Sequence, residues 1–170
     1  MVTVTVLERA RAVAATVIDP ELPMLSLLDL GVLREVSTSD DGTVVVTITP
    51  TYSGCPAMAA MRADLQHALG AAGFDRVDVR TVLRPAWSTD WISGRGLRLL
   101  REHGISPPSP VRPRPVGPVP LTLNPVARTL TCPQCGSSDT ELTSEFGSTA
   151  CTALHRCRTC REPFGHMKEI

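Results

Sequence analysis

The stretch TVVVTITPTYSGCPAMAAM, residues 43–61, changes its pattern within a few residues. Its first seven residues are all β-branched, which is typical of a strand. Pro56 suits the first position of a helix, and an apolar stripe at helical spacing follows it. Cys55 therefore lies where a strand gives way to a helix. The members of the apolar stripe are Met58, Met61, Leu65 and Leu69.

Upstream of this stretch, the sequence predicts one helix and one further strand. Thr5 and Glu8 have the spacing of a capping box, and an apolar helical pattern from Val6 to Ile18 follows them. The prolines of DPELP, residues 19–23, stop that helix. A strand is expected at 31–37, and DDG at 40–42 predicts a turn into the next strand.

Downstream, alternation over residues 77–83 predicts a third strand, and residues 96–103 predict a last short helix. The order is α-β-β-α-β-α, so residues 1–104 are expected to form one small α+β domain. The strand–helix–strand portion should be a right-handed crossover. The result is a two-layer domain in which helices pack on a mixed sheet.

Composition changes sharply after this domain. Residues 105–125 contain eight prolines, which remove backbone donors and disfavour helices and central strands. We therefore expect a stiff, extended linker over residues 105–126. An ordered strap lying across one domain is the alternative.

Residues 127–170 carry a metal-binding pattern. CPQC at 132–135 and CRTC at 157–160 are two C-x2-C pairs separated by 21 residues. This spacing predicts a zinc ribbon with two short strands between the pairs, and Gly136 supplies a tight turn. So small a module needs the metal to fold. Zinc is the expected ion, although four thiolates also accept iron. The predicted ligands are Cys132, Cys135, Cys157 and Cys160.

Cys151 lies on the same predicted strand as Cys157. At about 3.3 Å per residue the two are roughly 20 Å apart, so Cys151 should not reach the same metal. Packing is its expected role, and a second functional thiol is the alternative. His155 is expected at the surface or behind the ligands.

Charge and hydropathy narrow the classes of partner. Seventeen basic and 17 acidic residues cancel, which argues against a dedicated nucleic-acid binder. Arginines beside the second cysteine pair are offset by Glu141, Glu145 and Glu162. No apolar run approaches the roughly 20 residues that span a bilayer. No signal peptide is recognised, and six cysteines without one favour reduced thiols in the cytoplasm.

Cys55 has two interpretations from spacing alone. Free amides and the positive end of a helix dipole would favour a thiolate at the helix start. A buried cysteine acting as a small hydrophobe is equally common. A thiol hydrolase needs a base, and His67 lies about 18 Å further along the predicted helix axis. Nucleophilic catalysis by Cys55 is therefore not expected.

Longer motifs carry a resemblance. VIDPELPMLSLLDLGVLREV at 17–36 and VTITPTYSGCPAM at 46–58 resemble the SufT-like family of iron–sulfur assembly proteins, with its DPE, DLG and T-x-x-G-C-P signatures. LRPAWSTDWISGRGLRLLREHGISPP at 83–108 and the ribbon motifs are similar to the PaaD family, which belongs to the phenylacetyl-CoA epoxidase system. The match covers nearly the whole chain.

The resemblance implies a non-catalytic accessory protein of a bacterial oxygenase in aerobic phenylacetate degradation. Such proteins are thought to assist assembly or maturation of iron or iron–sulfur centres in the oxygenase or its reductase. By motif, Cys55 would bind iron or a cluster transiently. The residues that would shape its pocket are Asp19, Glu21, Asp29 and Thr51. Ordinary turn residues are the alternative interpretation of Asp19 and Asp29.

Two consequences follow for partners. An iron–sulfur cluster needs about four ligands, so Cys55 alone would require a second chain, a small thiol or the client protein to complete the set. A homodimer is one such arrangement. The competing function is a structural adaptor that docks oxygenase components through the ribbon and the segment with Trp87 and Trp91. Those two side chains would cover the pocket, mark a partner surface or pack in the core.

Overall fold

The computed structural model describes residues 5–52, 54–109 and 130–170. These residues divide into two compact units, one within Met1–His103 together with Ile170 and one within Gly104–Glu169. Most of the predicted linker, residues 110–126, lies outside the described residues. The domain boundaries 1–104, 105–126 and 127–170 stay a prediction.

The first unit has the predicted order α-β-β-α-β-α. Its helices and strands, in chain order, are α1 (Val6–Ala14), β1 (Leu33–Thr38), β2 (Val44–Ile48), α2 (Met58–Ala71), β3 (Val77–Thr81) and α3 (Gly94–Glu102). A short 3-10 turn, Thr89–Trp91, precedes α3. The prediction of a small α+β domain is confirmed.

The sheet of this unit is mixed. Its strand order is β1-β2-β3, with β1 antiparallel and β3 parallel to β2. The parallel pair is joined by α2, as the crossover prediction requires. Both α1 and α2 pack on the sheet and against each other. Val44, Val46 and Ile48 of the central strand are at most 1% exposed, so the core lies between sheet and helices.

The first helix begins as predicted but ends early. Thr5 and Glu8 exchange both hydrogen bonds of a capping box. The helix ends at Ala14, not at DPELP, because the Thr16 hydroxyl and amide both turn back onto the Val13 carbonyl. Three consecutive β-branched residues, 16–18, favour this break. Ile18 lies beyond this end and is exposed. Val6, at the start of the helix, is exposed as well, so neither residue belongs to the core stripe.

The second helix begins later than predicted. Its N-cap is Ala57, and no side chain caps it. Pro56 lies before the cap and not at the first helical position, and Cys55 lies two residues before the cap. The helix ends as expected, with Gly73 at φ 87° just after the last turn.

The second unit is a four-stranded sheet. Its strands are β4 (Ile105–Ser106), β5 (Thr140–Ser144), β6 (Thr152–Cys157) and β7 (Pro163–Met167), in the order β4-β7-β6-β5. β5 and β6 form the antiparallel pair expected between the two C-x2-C motifs. β4, which is the start of the predicted linker, pairs with β7 in parallel. An edge strand of two residues is compatible with the prolines that follow it.

Over the residues that the structure describes, no helix has the length and apolarity needed to cross a bilayer.

Candidate metal centre and thiol site

Four thiols converge at one end of the second unit. The sulfur atoms of Cys132, Cys135, Cys157 and Cys160 all lie within 4.8 Å of one another. The Sγ atoms of Cys132 and Cys160 are 3.8 Å apart, and those of Cys135 and Cys157 are 3.6 Å apart. A tetrahedron with metal–sulfur bonds of about 2.3 Å has sulfur–sulfur edges of about 3.8 Å, so the group has the size of a zinc tetrathiolate.

Tight turns build each half of this group. The Gly136 amide donates to the Cys132 carbonyl, and Gly136 has φ 73°, a conformation that glycine adopts without strain. In the second half, the Cys157 amide donates to the Glu162 carbonyl. Cys132 and Cys157 are almost fully buried and pack against Phe164. These turns and the packing on Phe164 bring the four thiols to one site.

Backbone amides also set the protonation of the second cysteine pair. The Cys160 amide lies against the Cys157 sulfur and lowers the pKa of that thiol to about 6. For Cys160 the Glu162 amide favours the thiolate, but burial and the neighbouring thiols raise its pKa to about 12. Opposite shifts within one group mean that the thiols share protons, and a bound cation would displace them.

The donor set fits zinc in a closed, structural role, in which the ion would hold the two halves of the ribbon together. Cys151 is not part of this group. It is buried, and its sulfur lies 3.1 Å from the Thr149 hydroxyl. His155 is half-buried and stacks on Phe164, and burial lowers its pKa, with a contribution from His166. Neither residue belongs to the group of four thiols.

Cys55 lies in the loop between β2 and α2 of the first unit. It is half-buried, its amide donates to the Tyr52 carbonyl, and its carbonyl accepts from the Met58 amide. These bonds fold the loop into tight turns ahead of the helix. Since Ala57 is the N-cap, the Cys55 thiol lies outside the position where a helix dipole would act most strongly on it.

The other predicted residues of the Cys55 pocket lie at buried or half-buried positions. Thr51 is 6% exposed, in the same loop as Cys55. Asp19 is 2% exposed, and its carboxylate accepts from the amides of Glu21 and Leu22. Burial raises the pKa of Asp19, and those two amides only partly offset the effect. Asp19 thus organises the DPE turn, while the Glu21 side chain is half-buried.

Asp29 of the DLG motif joins two segments that are distant in sequence. Its carboxylate accepts from the hydroxyls of Ser93 and Ser26, each at 2.8 Å, and pairs with Arg95 at 2.8 Å. Burial raises the pKa of Asp29, but these hydrogen bonds and the Arg95 charge outweigh it, so the pKa lies below its usual value. Both oxygens of the carboxylate therefore accept hydrogen bonds within the protein.

The DLG turn is covered by the segment that follows β3. The Trp87 indole N–H donates to the Leu30 carbonyl at 3.0 Å, and Trp87 is 3% exposed. A Cβ on Gly31, which has φ 74°, would lie 2.6 Å from the Trp91 carbonyl oxygen. Arg34 stacks over the Trp91 ring, 3.5 Å from its centroid. Trp87 is a core residue, and Trp91 is half-buried beneath an arginine.

The structure thus brings together one of the two predicted sets. Within residues 5–52, 54–109 and 130–170, the ribbon cysteines form the one group of three or more His, Cys, Asp or Glu side chains that could share an ion. Cys55 and the acidic residues of DPE and DLG do not form another. Sequence reasoning missed Ser26, Ser93 and Arg95 as partners of Asp29. Only Ser93 carried a signal, as the N-cap of α3.

Two family models match the chain. Residues 7–82 match the model described as "Iron-sulfur cluster assembly protein", and residues 117–168 match "PaaD zinc beta ribbon domain". A crystal structure of a domain of unknown function, DUF59, from Bacillus anthracis is 27% identical, with a TM-score of 0.51 over 55% of this chain and 90% of that chain. By fold and by its thiol group, the protein is an iron–sulfur cluster assembly domain joined to a zinc β-ribbon.

Two related proteins show more closely which family the chain belongs to. The chain is 44% identical, over 94% of its length and 90% of the relative, to an Escherichia coli (strain K12) protein named as a component of 1,2-phenylacetyl-CoA epoxidase. It is 34% identical, over 46% of its length and 74% of the relative, to an Fe-S protein maturation auxiliary factor of Porphyromonas gingivalis (strain ATCC BAA-308 / W83). The chain belongs to the PaaD family of phenylacetyl-CoA epoxidase components.

Proposed function

We propose that this chain is a non-catalytic accessory protein of a phenylacetyl-CoA epoxidase. It assists assembly or maturation of the iron or iron–sulfur centres of the oxygenase or its reductase. The name of the E. coli relative supports the choice of enzyme system, and the name of the P. gingivalis relative supports a role in maturation of Fe-S proteins. We place the protein in the cytoplasm, with protein partners and neither nucleic acid nor membrane.

The observation that carries the proposal is the position of Cys55. This half-buried thiol lies in the T-x-x-G-C-P loop of the iron–sulfur assembly domain, in a different unit from the four ribbon thiols. A closed tetrathiolate retains its metal, whereas a thiol with few neighbouring ligands releases a metal more readily. Cys55 therefore suits transfer, and the ribbon suits structure.

The number of ligands that an iron–sulfur cluster needs limits how this chain could hold one. A cluster needs about four protein ligands. Within the described residues, Cys55 is not a member of any group of three or more His, Cys, Asp or Glu side chains that could share an ion. The remaining ligands would come from a second copy of the chain, a small thiol or the client. We assign Asp19, Glu21, Asp29 and Thr51 to shaping the surroundings of Cys55, the two aspartates by fixing the DPE and DLG turns.

We assign zinc to the ribbon. The sulfur–sulfur distances match a zinc tetrathiolate, and the matching family model is described as a zinc β-ribbon. The metal would stabilise the second unit and carry no chemistry of the reaction. The ribbon's mixed charges suit docking to a protein better than to a nucleic acid.

A cellular experiment tests the proposal. Cells that make the oxygenase with Cys55→Ser in place of the native chain should yield oxygenase that is deficient in iron. Cys151→Ser, which alters a buried thiol of the other unit, is the matched control and should give normal iron content. Full iron loading with Cys55→Ser would refute the transfer role.

One observation favours a docking adaptor as the second candidate function. Both oxygens of the Asp29 carboxylate already accept hydrogen bonds, from Ser93, Ser26 and Arg95, which disfavours this carboxylate as a ligand to iron. If the DLG motif serves only to hold the fold, the motifs carried over from the assembly family need no metal. If the protein is an adaptor, Cys55→Ser should reduce neither the iron content of the oxygenase in cells nor the binding of the purified chain to its partners.

A further inference from the structure

An apolar groove lies between α1 and β1 in the first unit. None of its lining residues belongs to the loop that carries Cys55. Its volume is about 500 Å³, within the usual range for sites that bind ligands. Two small residues at α1, Ala12 and Ala15, leave the space open. The walls are completed by Leu28, Leu33 and Val36, and the charged residues at the edge are Arg11, Arg34 and Glu35.

The exposed apolar surface of the groove walls comes from Leu28, because Leu33 and Val36 are almost fully buried. The Leu28 side chain is 50% exposed although it follows a run of buried leucines. β1 is an edge strand of its sheet. The Arg11 guanidinium donates to the Val36 carbonyl at 3.2 Å and so occupies part of that edge. Strand addition by a second copy is therefore disfavoured, and an occupant must bind through its side chains.

Within the described residues, two arginines at the edge of the groove are held in place by contacts other than ion pairs. Arg34 is the extra residue of a bulge between β1 and β2, which turns its side chain out of the ladder. Its guanidinium stacks on Trp91 and donates to the Gly31 carbonyl. Within the described part of the chain, neither Arg11 nor Arg34 forms an ion pair.

The charges select the chemistry of the occupant. Both arginines are fixed by contacts that leave guanidinium donors unused, and fixed arginines favour carboxylates. We propose that the α1–β1 groove binds an amphipathic segment of a partner protein whose apolar side chains fill the groove and whose Asp or Glu carboxylates pair with Arg11 and Arg34. The partner is the client of the proposed function, on which this inference rests. Glu35 helps to set the register by accepting one basic residue of the segment.

The test uses the full chain and fluorescein-labelled peptides that tile the oxygenase and reductase components, with binding followed by fluorescence anisotropy. An acidic amphipathic peptide should bind. Its affinity should fall about tenfold with Arg11→Glu/Arg34→Glu, since two exposed ion pairs are replaced by repulsion. Leu28→Asp should weaken binding as well. Lysines in place of the peptide's carboxylates should restore binding to the charge-reversed chain.

Matched controls separate the groove from general effects. Leu83 is 57% exposed in the same unit, outside the groove, so Leu83→Asp should leave binding unchanged. Arg98→Glu, on the exposed side of α3, should do the same. Binding should also survive Cys55→Ser, because peptide docking needs no iron. If a groove variant loses iron transfer but still binds the peptide, the proposed role of the groove is refuted. If Cys55→Ser retains full iron transfer, only the proposed function is refuted.

Two outcomes would overturn the groove assignment. The first is that no tiled peptide binds, or that one binds equally well to the groove variants and the control variants. The second is concentration-dependent self-association in analytical ultracentrifugation that Leu28→Asp abolishes, which would identify a second copy as the occupant.

Discussion

Asp29 and Ser93, 64 residues apart, form two hydrogen bonds with each other. The Ser93 hydroxyl donates to the Asp29 carboxylate at 2.8 Å, and the Ser93 amide donates to the Asp29 carbonyl at 2.8 Å. The same serine hydroxyl accepts from the Gly96 amide and so caps α3. This pair fixes the DLG turn against the segment 87–96, which follows the region matched by the assembly-family model. The segment is therefore an integral part of the domain.

Asp29→Asn should destabilise the first unit. A hydrogen bond to a charged group contributes about 1.5–3 kcal/mol, and the amide cannot satisfy Ser93, Ser26 and Arg95 together. We expect a loss of about 2 kcal/mol in chemical denaturation. Asp64→Asn, at an exposed position of α2 in the same unit, is the control and should cost less. Equal losses would show that the Asp29 network is not a principal source of stability.

The two aspartates of the motifs should have opposite effects on stability as pH changes. The pKa of Asp29 is lowered in the folded state, so its contribution is present above its ordinary pKa of 3.8 and is lost as pH falls through the folded value. The pKa of Asp19 is raised, so the protonated form is favoured and stability is lost as pH rises through the folded value.

Asn variants measured between about pH 3 and 6 test this directly. The stability of the native chain relative to Asp29→Asn should increase with pH, and its stability relative to Asp19→Asn should decrease. Asn at position 19 still accepts a hydrogen bond from the Glu21 or Leu22 amide, so that variant should fold. Parallel pH profiles for the two variants would contradict the assigned environments.

Gly31→Ala should cost more than Gly42→Ala. Both glycines have positive φ, 74° and 80°, so both substitutions incur a similar conformational cost of about 1 kcal/mol. Only at Gly31 would the new Cβ meet backbone, at 2.6 Å from the Trp91 carbonyl, whereas at Gly42 the nearest atom is a flexible Arg76 nitrogen at 3.5 Å. We expect an additional loss of about 1–3 kcal/mol at Gly31. Thermal unfolding of both variants measures it.

Removal of metal should unfold the ribbon unit. Purified protein should contain about one zinc per chain, since one tetrathiolate binds one ion. Cys132→Ala and Cys160→Ser should lose it, and Cys151→Ser should retain it. Proteolysis after treatment with a chelator should cleave within residues 130–169 while the first unit stays protected. Metal retained in Cys132→Ala would overturn the assignment of ligands.

Patterns that depend on local chemistry predicted much of the fold. The capping box at Thr5 and Glu8, the β-branched run of β2 and the two C-x2-C pairs each act over a few residues, and each was predicted correctly. The boundaries of α1 and α2 were not. The Thr16 hydrogen bonds that end α1 and the cap at Ala57 are local details that a periodic apolar pattern does not record.

The partners of Asp29 illustrate what the sequence leaves out. Nothing in the local sequence of DLG indicates that its carboxylate meets Ser93 and Arg95, because the contact depends on how the segment 87–96 folds back. The bulge that directs Arg34 onto Trp91 is hidden for the same reason. The convergence of the four ribbon cysteines could be predicted because the spacing within each pair is set by a turn, whereas the surroundings of Cys55 depend on the tertiary fold.

The central claim is that Cys55 handles iron, and anaerobic reconstitution with iron and sulfide tests it most directly. The native chain, Cys55→Ser and Cys151→Ser, each with zinc in the ribbon, are loaded in parallel, and bound iron is measured with the cluster absorption. The account predicts that the native chain and Cys151→Ser bind labile iron and that Cys55→Ser does not. Equal iron binding by the native chain and Cys55→Ser, or none by either, would contradict it.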